Sequence, residues 1–223
     1  MQARITKPAD ERRDEILDAA HRLFVTKGFR ATTIEDLLTA VGIAKGTLYY
    51  HFSGKDEILQ ELVMRTIRQV TARADQVAAS DLDPLTKFIG VLASTSADAE
   101  AAELAEEFHA PGNDAFHLMS IIELIRHLTP VLTRVVEEGV AAGVFSTTQP
   151  REDVEILLTG VGFLTDDGIF PGEAAEIPRR IRGLVLAAER LFGCPPGSLA
   201  ALAGPADSLP TTNSSGSPRE GDA

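Results

Sequence analysis

An all-α protein of about nine helices is the architecture predicted for these 223 residues, and three observations predict it. Apolar residues recur at three- and four-residue spacing along nearly the whole chain, and no alternating run makes a convincing strand. Helix start and stop signals punctuate that pattern, among them Thr33 three residues before Asp36 and glycines 28, 42 and 143 after periodic runs. Composition is that of an ordinary globular chain, with 44% apolar and 24% charged residues.

The elements follow in order. Residues 10–27 place Ile16, Ala20, Leu23 and Phe24 on one face, and Gly28 reads as a left-handed stop. Thr33 with Asp36 makes a capping-box arrangement for a short helix carrying Ile34, Leu37 and Leu38, which Gly42 limits to about Ala40. A third short helix begins near Ala44. Ser53, with Asp56 three residues on, opens a longer one bearing Ile58, Leu62, Ile67, Val70, Ala74 and Val77. The helical pattern resumes after Pro84. Asn113 can cap a long segment through Ile121, Ile125, Leu128, Leu132 and Val136, in which Pro130 is expected to produce a kink. Residues 151–169 and 174–192 form two further helices. From Pro195 on, the chain is rich in Pro, Gly, Ser and Ala and reads as a disordered tail, 195–223. The expected division is 1–55, 56–194 and the tail.

Charge separates the first two parts. Residues 1–55 hold 9 Lys/Arg against 7 Asp/Glu, whereas residues 56–223 hold 12 against 26. A slightly basic head on an acidic body permits a DNA contact at one end and disfavours wrapping by the rest. The opening residues lack the apolar core of a secretory signal, no unbroken apolar run has the roughly 18 residues of a membrane span, and the single cysteine, Cys194, cannot form an internal disulfide. A cytoplasmic protein with no membrane association is expected.

The stretch "GTLYYHFSGK", residues 46–55, holds both tyrosines of the chain, Tyr49 and Tyr50, with His51 and Phe52. As a strand it would have no partner; as a helix it buries Leu48 and Phe52 at i and i+4 and leaves Lys45, Gly46, Thr47, Tyr49 and Tyr50 on other faces. Helix, tight turn at Gly42, and short second helix is the helix-turn-helix arrangement, in which the second helix enters the major groove. A tyrosine there supplies a rigid body and a hydroxyl for phosphate. Lys55, in the first turn of the next helix, stands where an anion would be favoured.

The run "TTIEDLLTAVGIAKGTLYYHFSGKDEIL", preceded by "AAHRLFVTKGF", resembles the DNA-binding domain of the TetR/AcrR transcriptional regulators over about residues 10–62. The resemblance implies three N-terminal helices that bind DNA, a helical C-terminal domain for ligand binding and dimerisation, and repression relieved by a small molecule. Carried over by position, Lys45, Gly46, Thr47 and Tyr49 face bases or adjoining phosphates, Tyr50, His51 and Lys55 grip the backbone, and Thr33 lies near a phosphate. Two positions depart from the pattern: Ala44 replaces the usual Ser or Thr cap, and Leu38 stands where Ala is common.

Beyond residue 80 the resemblance is architectural. Helix 151–169 is apolar on two sides, with Val154, Leu157, Leu158, Val161 and Leu164 on one and Ile156, Gly160 and Phe163 on the other. With Ile177, Ile181, Leu184, Val185, Ala188 and Leu191 of the next helix it is expected to form a four-helix homodimer interface centred on Leu157, Gly160, Val161, Leu164, Ile181, Leu184, Val185 and Ala188, which would suit a palindromic operator. Candidate effector contacts are Phe88, Phe108, His109, Phe116, His117, Met119, His127 and Phe163, for a small, largely apolar ligand.

Two other readings compete. Glu106/His109 and Glu123/His127 have the spacing of carboxylate–histidine metal pairs, although a solvated charged face explains them as well. A ligand-independent DNA-binding protein is the second. No nucleophile constellation, phosphate loop or dinucleotide fingerprint is present, so neither an enzyme nor a cofactor is expected.

Overall fold

The computed structural model describes residues 8–95 and 114–203. Among them are eight α-helices and no strand: α1 Ala9–Lys27, α2 Ile34–Val41, α3 Lys45–His51, α4 Lys55–Ala78, α5 Pro84–Ala93, α6 Asp114–Ala141, α7 Pro150–Leu164 and α8 Ile177–Leu191. Short 3-10 turns occur at Ala174–Glu176 and Ala200–Ala203.

Two apolar cores divide the chain. The head core joins Ile16, Leu17, Ala20 and Phe24 of α1, Phe29, Leu37 of α2, Leu48 of α3 and Phe52 to Ile58, Leu59, Leu62, Val63 and Ile67 of α4. The body core takes Val70 and Ala74 from the same α4 and adds Phe88, Val91, Leu128, Leu132, Val136, Phe145, Val154, Leu158 and Phe192. The head core therefore draws on α4 as far as Ile67, and one continuous helix supplies apolar faces to both cores.

Local signals set the helix ends of the head. Thr33 Oγ1 accepts the Asp36 N–H at 3.2 Å, while Asp36 Oδ2 accepts the Thr33 N–H at 2.8 Å. This is a reciprocal capping box. Lys27 Nζ donates to the same oxygen at 2.5 Å. Gly42 closes α2 at φ +70°, a backbone conformation that side-chain-bearing residues rarely adopt. Gly28 ends α1 at φ +88° and ψ +145°, which is a positive-φ stop rather than the left-handed helical one expected.

The box has a pH signature. The Lys27 ammonium, then the Thr33 amide and hydroxyl, hold the Asp36 carboxyl below its ordinary 3.8, at about 2. A carboxyl depressed by folding adds stability above its unfolded pKa and loses it as pH falls through the folded one. Asp36→Asn is therefore expected to lower the urea midpoint at neutral pH, with the gap from wild type closing between about pH 4 and about pH 2. An unchanged gap across that interval would show that the carboxylate is not the stabilising group.

Several expectations are corrected. Ser53 does not cap with Asp56: α4 starts at Lys55 after Gly54, and Ser53 N and Oγ donate to Glu57 Oε2 at 2.6 and 2.7 Å. Residues 174–192 begin as a 3-10 turn, and α7 stops at Leu164. α6 runs continuously through the exposed Pro130; Asn113, its expected cap, lies outside the described residues. Averaged over 18 residues α6 is apolar enough to cross a membrane by length and composition, yet Leu128, Leu132 and Val136 bury it in the body core. Residues 195–203, expected to open the tail, pack back instead, with Leu199 fully buried.

Candidate nucleic-acid interface and effector cavity

α3 is anchored by Leu48, which is 0% exposed, and followed by Phe52 at 1%. The opposite side is open: Tyr50 is 79% and Tyr49 45% exposed. Lys45 and Gly46 are exposed as well, and Thr47 and His51 are half-buried. Lys45 Nζ lies 5.8 Å from the centroid of the Tyr49 ring, and the Tyr50 and His51 rings meet edge-on at 5.0 Å. Tyrosines that served packing would be covered. These two stay exposed, Tyr49 beside Lys45 and Tyr50 against His51, on a helix held by its other face.

Ala44 gives α3 no side-chain cap. Leu38 is half-buried against the head core. Thr33 is exposed at the start of α2, but its hydroxyl serves the capping box.

Lys55 differs from the rest of the expected set. Its ammonium donates to the carbonyl oxygens of Phe29 at 2.5 Å, Thr32 at 2.8 Å and Arg30 at 3.3 Å. It also lies 4.4 Å from the centroid of the Phe29 ring. Its partners are 23 to 26 residues away, so no local sequence signal could have found them.

In the body, a cavity of about 570 Å³ opens among the end of α5, α6, α7, α8 and the Ala200–Ala203 turn. Leu124, Ile125, Leu157, Val161, Ile181 and Leu184 are among its lining. None of the six described effector candidates lines it. Phe88 is buried with Phe192 and Phe145, at 5.0 and 5.6 Å between ring centroids. Phe116 and Met119 pack on the head core, Phe116 meeting Phe29 at 5.8 Å. His117, 7% exposed, pairs through Nε2 with Asp166 Oδ1 at 2.9 Å; Asp166 is a lining residue, so His117 stands behind the cavity wall. His127 Nδ1 meets the Glu123 carbonyl oxygen at 2.7 Å. Phe163 is half-buried on α7. Phe108 and His109 lie outside the described residues, as does Glu106.

Most of the expected dimer stripe faces inward. Leu157, Val161, Ile181, Leu184, Val185 and Ala188 face the cavity inside one subunit. Gly160 lies under Leu184, whose Cδ2 would be 2.7 Å from an added Cβ, and of this stripe Leu164 alone is exposed. The outward stripe consists of Ile156 and Thr159 on α7, beside the half-buried Phe163, and Gly183, Leu186 and Ala187 on α8.

A short helix pinned by one leucine, turned on a left-handed glycine and bare on its phenolic side is the reading half of a helix-turn-helix DNA-binding protein. Comparison with known proteins supplies the family: a profile described as "Bacterial regulatory proteins, tetR family" matches residues 16–62, and one described as "Tetracyclin repressor-like, C-terminal domain" matches residues 96–184. The chain belongs to the TetR family of bacterial transcriptional regulators. It is 30% identical over 163 residues to the HTH-type transcriptional repressor KstR2 of Rhodococcus jostii RHA1, a match spanning 68% of this chain and 76% of that one. It is 26% identical over 189 residues to the uncharacterized HTH-type transcriptional regulator YfiR of Bacillus subtilis 168, spanning 79% and 90%. A TetR-family transcriptional regulator from Pectobacterium atrosepticum has the same fold, with a TM-score of 0.64 at 18% identity over 84% of this chain and 97% of that one.

Proposed function

We propose that the protein is a cytoplasmic homodimeric repressor that releases a palindromic operator when a small, largely apolar molecule enters the body cavity. The observation that carries the DNA half is the exposed Tyr49–Tyr50 pair beside Lys45 on a helix anchored by Leu48. Lys45, Gly46, Thr47 and Tyr49 are read as facing bases, and Tyr50, His51 and the α2 start at Thr33 as facing the backbone.

The cavity supports the second half. Its lining is mainly aliphatic, and its described polar groups offer acceptors: Thr95 and Thr165 already donate their hydroxyl protons to Leu92 and Val161 carbonyls at 2.7 and 2.8 Å, and Asp166 adds a carboxylate. An apolar molecule bearing hydroxyl or amine donors suits that lining. The metal-responsive alternative is not favoured. The Glu123 carboxylate pairs with Arg126 at 2.6 Å, and no group of three or more potential ligands occurs among the described residues.

For the dimer we assign the outward stripe. Gly183 and Ala187 allow close approach, and Ile156 and Leu186, 58% and 54% exposed, supply apolar area. Leu186→Arg is expected to convert the dimer to monomer in sedimentation velocity, whereas Leu184→Ala, inside the subunit, should leave it dimeric. The whole reading is tested by genomic footprinting followed by a ligand screen at the operator found. Release by hydrophobic alcohols or amines supports it; operator affinity unmoved by any small molecule would favour a ligand-independent protein.

A further inference from the structure

Lys55 occupies the first position of α4, where a basic side chain could reach an approaching phosphate. Its ammonium instead turns back across the head. An ammonium has three N–H donors, and three carbonyl oxygens receive them, at Phe29, Thr32 and Arg30. The Phe29 ring covers the same charge at 4.4 Å. Withdrawal from solvent pushes the lysine below its ordinary pKa, partly countered by Asp56.

The three carbonyls all belong to the turn between α1 and α2. Thr32 in that turn is buried, its hydroxyl donating to the Gly28 carbonyl at 2.8 Å, and the next residue, Thr33, caps α2. The direction of α2 is set where it leaves this turn, and α3 follows α2 after only the Gly42 corner. The Phe29 ring also packs edge-on against Phe24 of α1 at 5.1 Å and Phe116 of α6 at 5.8 Å. One side chain therefore ties the start of α4 to the turn that aims the reading helix.

We infer that Lys55 is a positioning residue: it fixes α2 and α3 for groove entry by knotting the α1–α2 turn, and does not contact phosphate. The inference rests on the helix-turn-helix reading of the head. It separates from a phosphate contact in two ways. Losing a phosphate contact lowers the salt slope of binding by about 0.9 per site, whereas losing position lowers affinity with the slope kept. Arginine replaces lysine well at a phosphate, but its planar fork cannot converge on three carbonyls around one nitrogen.

The test uses the full chain and a duplex that the wild-type protein selects from a randomised pool, with affinity measured from low to moderate salt. Lys55→Met and Lys55→Arg are both expected to weaken binding about tenfold or more with the wild-type salt slope, and to speed amide exchange at residues 32–36 at temperatures where each variant is fully folded. A lower slope in Lys55→Met with wild-type affinity in Lys55→Arg would overturn the inference in favour of a phosphate contact. Wild-type affinity in both folded variants would overturn it too, leaving a purely structural lysine. A wild-type chain that selects no duplex would overturn the DNA-binding reading itself, and this inference with it.

Discussion

Phe88→Ala is expected to lower the unfolding free energy by about 3–5 kcal/mol, the usual effect of emptying an aromatic site in a packed core. Phe88 is fully buried and contacts two other rings, Phe145 and Phe192, in edge-on or tilted geometry. Those partners come from the segment after α6 and the end of α8, so the ring joins α5 to two distant parts of the body. Against a total of about 5–15 kcal/mol for a domain, such a loss is a large fraction. Urea unfolding followed by circular dichroism measures it. Because Phe88 does not line the cavity, the folded remainder of the variant should still bind whatever ligand the wild type binds. A loss below about 1 kcal/mol would mean that the cluster is not packed as described.

Tyr49→Ala is expected to act on the opposite property. The side chain is 45% exposed and buries nothing essential, and alanine favours helix. Stability should change little, while operator affinity falls by about 1–3 kcal/mol per subunit, hence about 2–6 kcal/mol in a twofold complex. Fluorescence anisotropy on the selected duplex would record that loss. Retention of wild-type affinity would remove Tyr49 from the reading surface.

These residues also show what a linear sequence reveals. The Thr33–Asp36 box and the Gly42 corner were legible because each is decided within four residues of chain. The exposed tyrosines were legible because Leu48 and Phe52 use up the buried face of so short a helix. Lys55 was not, since its partners arrive from the far side of two helices. α7 carried two apolar stripes, and periodicity cannot say which one meets the cavity and which faces outward. The choice between Leu157 and Ile156 is made by where α8 packs. The six described aromatic, histidine and methionine candidates lie off the cavity for a related reason: a phenylalanine such as Phe88 or Phe116 fills a core as readily as it lines a cavity, and the described lining is mainly aliphatic.

Dimethyl sulfate footprinting of the selected duplex addresses the main proposition in one experiment, since the reagent marks guanine N7 in one groove and adenine N3 in the other. Groove entry by α3 predicts two blocks of guanine N7 protection about one helical turn, or a multiple of it, apart, both lost in Tyr49→Ala. Protection confined to adenine N3, or N7 protection untouched by the substitution, would contradict it.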